Sequence, residues 1–443
     1  MSSPNYVNIY LHKNLGFVNI TLNMSNTNLL TTIDFWQKIA LDGQLYPREL
    51  VDQIDTATSE VVDLVGSRRS GKSSILKLLI RKLNLGKNFL YINFEDPIFL
   101  QQNDPQVVEE LVKTFEEYIS KPVKFLFFDE IQNIKSWENA IRKLRDSDKY
   151  KIYVTGSSSK LLSGELATLL TGRHLSYQVQ PLSFREFLNF HDQSVTSPSD
   201  AILKKMSIQR LFAEYLQTGG FPEVVVTKNR ALIKQYYEDI VQKDIVKRYE
   251  IRDRDTIEKM GAFLLSNACQ TLSLASVKKI YEISHLKARN YLEYFKEAFL
   301  VSELPQFSYS LKTQHKALKK IYAIDNGLIQ AVAPNFSENR GWLLENAVYA
   351  HLCQKPGDVF YYKGDTGKEV DFVVAEKAAM QLFQVAWDLH NLKTRARELN
   401  SAVQAAKFFL VKEVSVLTFD QEEEEIIDDI KIAIKPTSLW MLE

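Results

Sequence analysis

The chain of 443 residues has two cysteines, Cys269 and Cys353, too far apart for a Cys-x-x-Cys motif. That excludes a disulfide scaffold and a thiolate zinc or redox site of that type; two reduced, partly buried thiols are expected. The seven histidines are scattered without metal-ligand spacing, so zinc is not expected either. Long apolar runs are missing: none approaches the ~18–20 residues that a membrane helix needs. No basic segment followed by an apolar stretch opens the chain, so no secretory signal is visible and a cytoplasmic location is expected. An excess of one charge is also missing, because 55 Lys and Arg balance 55 Asp and Glu. This balance excludes coating of nucleic acid by bulk charge but leaves local basic patches open. With 16 Gly and 12 Pro the chain is neither collagen-like nor of low complexity, and 45% hydrophobic residues exclude wholesale disorder.

What is present is a change of pattern along the chain. Residues 1–30 are rich in Asn, Ser and Thr without helical period and read as a tail, with Met24 as an alternative start. From Ile33 a helix is expected, leading to Tyr46-Pro47-Arg48. Strands are then expected at 61–65, 89–94, 124–129, 151–155 and 176–179, separated by helices at 74–83, 105–118 and 137–145. Strands alternating with helices of this length predict an α/β domain with a parallel sheet covered on both faces. The turn-rich stretch 191–200 marks a boundary, and residues 206–299 read as mostly helical. Strand-like runs return at 299–304 and 321–324, and again at 359–362, 369–374, 382–385 and 414–418. Glu422 to Glu425 with Asp428 and Asp429 form an acidic run, expected to be solvated surface. The division expected is a tail at 1–30, a nucleotide-binding domain at 31–192, a helical lid or linker at 193–235, a middle domain at 236–335 and a last domain at 336–443.

The strongest motif is Gly66-Ser67-Arg68-Arg69-Ser70-Gly71-Lys72-Ser73, followed by Ser74 at the start of the helix. It fits G-x-x-x-x-G-K-[ST] between a buried strand and an amphipathic helix. Glycines let the backbone wrap a polyphosphate so that N–H groups point inward, and the helix N-terminus adds its dipole. These residues are therefore candidates for binding a nucleotide, with Lys72 reaching the β- and γ-phosphates and Ser73 ligating Mg²⁺. Nothing in this loop distinguishes adenine from guanine.

Phe125-Leu126-Phe127-Phe128-Asp129-Glu130 supplies the second half of such a site. A buried strand ending in Asp129 delivers a carboxylate to the sheet's carboxyl edge, where it would help hold Mg²⁺. Glu130 is the candidate that activates the attacking water. At the end of the fourth strand, Ser157 is the first choice to bond the γ-phosphate or that water, with Thr155 the runner-up. Arg173, after Gly172, is a candidate to neutralise transition-state charge in cis or from a neighbouring subunit. The expected activity is Mg²⁺-dependent hydrolysis of a nucleoside triphosphate. A nucleotide-gated switch with little turnover is the alternative.

The residues resemble a prokaryotic AAA-type P-loop ATPase family whose core is followed by a winged helix and a restriction-endonuclease-like domain of unknown function. The resemblance runs from about Tyr46 to the C-terminus. It is carried by Gly66–Ser73, Asn93-Phe94-Glu95-Asp96-Pro97, Asp129-Glu130-Ile131-Gln132, Thr155-Gly156-Ser157-Ser158-Ser159, Pro181-Leu182-Ser183-Phe184-Arg185-Glu186-Phe187, Gly219-Gly220-Phe221-Pro222-Glu223, Asp325-Asn326-Gly327-Leu328, Leu344-Glu345-Asn346 and Glu369-Val370-Asp371-Phe372. It implies ATP as the nucleotide and a cytoplasmic protein.

Thr271 to Leu304 reads as a helix-turn-helix with a wing, Leu286–Ala298 being the recognition helix. Its apolar stripe is Ala288, Tyr291, Leu292, Phe295 and Phe299, while Lys287, Arg289, Asn290 and Lys296 lie off it. Residues 271–320 hold nine basic residues against four acidic ones, the local footprint that phosphate contacts need. Lys287, Arg289 and Asn290 are the candidate DNA contacts; a protein partner or a homo-oligomer fits the same module. In the last domain, Glu345, Asp371 and Gln384 resemble the frame of a PD-(D/E)xK nuclease site. Such a site needs acids for a metal and a lysine to assist water. Here Ala386 occupies the lysine position, so a degenerate site is expected. An ATP-dependent DNA nuclease remains the alternative if Lys368 or Lys393 supplies the amine.

Overall fold

The computed structural model describes residues 26–101, 103–119, 121–157, 173–332, 340–364, 367–377 and 379–443. The tail through Ser25 with Met24, the serines 158 and 159, and Gly172 lie outside the described residues. The first sheet comprises β1 (Val61–Val65), β2 (Phe89–Asn93), β3 (Phe125–Asp129), β4 (Lys151–Gly156) and β5 (His174–Gln178). All its neighbours pair in parallel, in the order β2-β3-β4-β1-β5. Period-two alternation explains how both faces become apolar. Leu126 and Phe128 point to one face, and Phe127 to the other. Helix Lys72–Lys82 covers the second face with Ile75, Leu76, Leu79 and Ile80. Helices Gln106–Ile119 and Trp137–Asp146 cover the first. Helix Asn26–Leu41 joins them, burying Leu29 and Ile33. That helix starts inside the segment expected to be tail. Its anchor is long-range, Trp36 donating to Asp96 at 2.9 Å, and it leaves little local period.

The middle of the chain is helical, as its pattern predicts, from Lys205–Thr218 through Arg254–Ser266. It includes a π-helical segment, Ile240–Lys247. Helices Leu274–Ile280 and His285–Glu297 are joined by a short turn, each started by a serine cap, Ser273 and Ser284. The expected apolar stripe is buried. Beside them β6 (Thr271–Leu272), β8 (Lys319–Ala323) and β7 (Val301–Leu304) form an antiparallel sheet.

The last sheet contains β9 (Asp358–Lys363), β10 (Glu369–Glu376), β11 (Ala379–Val385), β12 (Glu413–Thr418), β13 (Glu423–Ile427) and β14 (Ile430–Pro436). Its order is β13-β14-β12-β11-β10-β9. Glu423, Glu424 and Glu425 of the acidic run therefore lie on an edge strand. Arg395 holds Glu423 at 2.6 Å and also pairs with Glu425. Charge on an edge discourages pairing with another chain. Both cysteines are free thiols, Cys269 buried and Cys353 exposed. No described helix is long and apolar enough to cross a membrane.

Candidate functional site

β1 ends at Val65 and the chain turns through Gly66–Gly71 into helix Lys72–Lys82. Two glycines are required by space. A Cβ on Gly66 would lie 2.3 Å from the Val179 carbonyl oxygen, and Gly71 has φ +100° with Arg48 packed against it. Arg48, buried, holds the loop from outside: NH1 donates to the Ser70 carbonyl at 3.0 Å and Nε to Glu186 at 2.9 Å. Lys72 folds back on the loop, its Nζ 3.2 Å from the Gly66 carbonyl, 3.1 Å from that of Ser67 and 3.5 Å from Glu130. These three amine contacts keep the cation inside the ring of backbone that the spacing predicts.

Register brings the acids to the same edge. β4 lies between β1 and β3, so the ends of all three strands converge beside the loop. Asp129 is fully buried and accepts from Thr155 at 2.5 Å, Tyr91 at 2.9 Å and Asn93 at 3.1 Å. Burial and the neighbouring Glu130 push its pKa up, while hydrogen bonds from Thr155, Ser73 and Tyr91 pull it back. Burial also raises Glu130, but Lys72, Gln132 and Arg68 outweigh it and hold that carboxyl below its usual value. Glu130 is thus ionised, as a base must be, and its backbone takes the left-handed conformation, φ +52°. The Ser73 hydroxyl beside Asp129 fits Mg²⁺, which takes one or two protein oxygens plus phosphate and water.

A cavity of about 510 Å³ opens over this edge. Arg68, Arg69, Lys72, Ser73, Ser74 and Glu130 line it. So do Tyr46 and Phe190, stacked with ring centroids 4.3 Å apart, and Pro222 and Val226. The lining thus offers cationic groups to anions and apolar surface to a flat ring. Arg48 and the Tyr46–Phe190 pair were not among the sequence candidates, because no spacing links residues 138 or 144 positions apart.

Other candidates fall elsewhere. Thr155 is tied into the acid pair, donating to Asp129 and accepting from the Glu130 N–H at 2.8 Å. Ser157 donates to Asp244 at 3.1 Å, in the π-helical segment. Arg173 pairs with Asp146 at 3.5 Å and precedes β5, whose first residue His174 aligns with Val61 at the start of β1. It therefore lies at the amino edge of the sheet. The cis role is corrected: roughly 16 Å of strand, at about 3.3 Å per residue, separates it from the phosphate loop.

The basic footprint of the helix-turn-helix is partly spent inside the protein. Lys287 reaches Asp253 at 2.6 Å, Lys296 and Lys319 both hold Glu303, and Lys320 is buried. Lys278, Lys279, Arg289, Asn290, Lys312 and Lys316 remain exposed.

Glu345, Asp371 and Gln384 do come together. The lysine among them is neither Lys368 nor Lys393 but Lys320, from β8. Its Nζ lies 3.0 Å from Glu345, 2.7 Å from Glu369 and 3.2 Å from Asp371. Gln384 donates to Glu398 at 2.6 Å and accepts from the Asp371 N–H at 3.3 Å. Burial and Glu345 raise Asp371 to about 7 against the pull of Lys320.

An AAA domain model matches residues 58–188; two domains of unknown function, DUF8612 and DUF4143, match residues 209–339 and 340–439. An "Uncharacterized protein MJ1544" of Methanocaldococcus jannaschii is 31% identical over 420 residues, covering 91% of this chain and 92% of that one. An "Uncharacterized protein" of Haemophilus influenzae is 30% identical over 364 residues, covering 80% and 88%. Among solved structures, the Aeropyrum pernix ORC1 protein in complex with DNA aligns over 74% of this chain and 94% of that one, at 11% identity and a TM-score of 0.31. At that score the likeness carries no argument. The AAA-type P-loop assignment rests on the domain match and the phosphate-loop motif.

Proposed function

The chain belongs to one family with the MJ1544 protein of Methanocaldococcus jannaschii and carries an AAA domain, and on that premise we propose that it is a Mg²⁺-dependent ATPase. The observation that carries this reading is that Lys72, Ser73 and Glu130 line one cavity at the carboxyl edge of the sheet, with Asp129 buried behind them and hydrogen-bonded by Ser73. Lys72 and the loop N–H groups bind the phosphates. Ser73 and Asp129 are the residues that would hold Mg²⁺, which would supply charge neutralisation at the phosphates. Glu130 orients water and takes its proton. The stacked Tyr46–Phe190 pair forms the apolar wall for the base, and adenine is the expected one.

The test is turnover of ATP by the full chain. Wild type should release phosphate only with Mg²⁺. Lys72→Ala should lose binding, and Glu130→Gln should bind ATP but turn over at least about a hundredfold more slowly, as general-base removal costs. A wild type that neither binds nor hydrolyses ATP would sink the reading. The hold of Lys72 and Gln132 on Glu130 favours a second reading, a nucleotide-gated switch with slow turnover. The helix-turn-helix is its output, read as a winged helix contacting DNA or protein. The exposed Arg289 and Asn290 are the side chains available for base contact, and Lys287 is committed to Asp253.

A further inference from the structure

Asp244 is a buried acid that the hydrolysis scheme does not use. It sits on the π-helical segment Ile240–Lys247, downstream of the AAA domain, with its side chain 2% exposed. An unpaired carboxylate at such a position is costly, so its partners define its role. Arg68, a phosphate-loop residue, donates Nε to one carboxylate oxygen at 2.7 Å. Ser157, just past β4, donates its hydroxyl to the other at 3.1 Å. Arg248, one turn further on, brings NH2 within 3.4 Å of both that oxygen and the Ser157 hydroxyl. The other terminal nitrogen of Arg248, NH1, is buried and finds no hydrogen-bond partner among the described residues.

Two guanidinium groups and a hydroxyl thus converge on a two-oxygen anion, and one buried donor is left over. A terminal phosphoryl group has three oxygens and more charge, and would satisfy the same donors more fully. The set is next to the nucleotide cavity, whose lining includes Arg68 together with Asp239 and Lys243 from either side of the start of the π-helical segment. Such segments give up regular helical hydrogen bonding and recur at functional sites.

We propose that Asp244 is a positioning residue that occupies the γ-phosphate's donors, Arg68, Ser157 and Arg248, until a triphosphate takes them over. ATP must displace Asp244, and ADP, which has no γ-phosphate, leaves it in place. Loss of Asp244's partners then frees segment 240–247 to report nucleotide state. This deepens the ATP-binding reading and rests on it.

The experiment uses the full chain with Glu130→Gln to block turnover, with and without Asp244→Asn. Binding of fluorescent ATP and ADP in Mg²⁺ is titrated for each. Removing the competing charge should tighten ATP about tenfold, or about 1.4 kcal/mol, and change ADP by no more than about twofold. An unchanged ATP-to-ADP ratio overturns the role of Asp244 and leaves the ATPase reading standing. Failure of both chains to bind either nucleotide overturns that reading and this one with it. Should Asp244→Asn not fold, hydrogen exchange of amides 240–247 in the Glu130→Gln chain decides. Exchange faster with ATP than with ADP or no nucleotide is expected, and equal exchange in all three overturns the proposal.

Discussion

Asp63 lies in the middle of β1, where every residue is buried, on the same face as Val61 and Val65. Its carboxylate is satisfied by the edge strand: His174 Nδ1 lies 2.8 Å from one oxygen and the Ser176 hydroxyl donates to the other at 2.5 Å. The hydroxyl, 3.2 Å from His174 Nδ1, gives its proton to the acid, and the trio closes the β1–β5 seam. The hydrogen bond to Asp63, more than its charge, raises the His174 pKa against burial. Stability from this pair is present below the unfolded value near 6.5 and is lost as pH rises through the folded pKa. His174→Gln should therefore cost more at pH 5.5 than at pH 8.5, measured by denaturant unfolding; a larger cost at pH 8.5 would contradict the pairing. None of this was legible in the sequence, because Asp63 inside an apolar strand and His174 in an edge strand meet only once the parallel register is set. Lys72, Ser73, Asp129 and Glu130 were legible for the opposite reason. Their motifs are local in sequence, and the chemistry of phosphate binding dictates the spacing.

Among the elements, the turn between helices Lys205–Thr218 and Pro222–Thr227 is the tightest constraint. Gly219 has φ +71°, and a Cβ there would lie 1.8 Å from an Asp325 oxygen. Gly220 donates its N–H to Asp325 at 2.6 Å and accepts from the Leu182 N–H at 2.7 Å. Gly219→Ala should destabilise the chain by about 3 kcal/mol or more, through strain and overpacking together. Thermal unfolding checks this, and a loss within about 0.5 kcal/mol, the size of an ordinary surface change, would count against the contact. Burial holds Asp325 up at about 6 despite three backbone hydrogen bonds. The unfolded carboxyl ionises first, so this residue lowers stability as pH climbs from about 4 to 6. Most elements were legible because apolar periodicity of two or 3.6 writes them locally. The exceptions have nonlocal causes. β13 is Glu-rich and is held by pairing with β14, and the first helix, expected from Ile33, is extended back to Asn26 by the sheet it covers.

Across the whole molecule, the short motifs that carry the family resemblance touch one another in turn. Ser70 of the phosphate loop meets Arg48, which meets Glu186, whose carboxylate completes the cap with Ser183. Leu182 meets Gly220, Gly220 meets Asp325, and Asn326 and Ala323 meet Asn346. Glu345, beside Asn346, meets Lys320. This chain of contacts spans the matches to the AAA domain and to both domains of unknown function, and it ends at the acid cluster. There the amine of Lys320 sits among three carboxylates, with Tyr322 donating to Glu345 at 2.7 Å. A nuclease would present these acids to a metal and a scissile phosphate; here Lys320 is 4% exposed and Asp371 8%. The cluster therefore acts as an internal ion network that joins β8 to β10 and to helix Arg340–Leu352. Removing its cation leaves buried acids uncompensated, which costs about 3–5 kcal/mol. Lys320→Met should show that loss at pH 8.5. At pH 5.5 the loss should be smaller, since Asp371, already raised to about 7, is protonated there. Denaturant titration at the two values separates this from simple loss of packing, which would be equal at both. A Mn²⁺-dependent plasmid-nicking activity abolished by Asp371→Ala would instead return the domain to nuclease chemistry; the buried amine at its centre predicts no nicking.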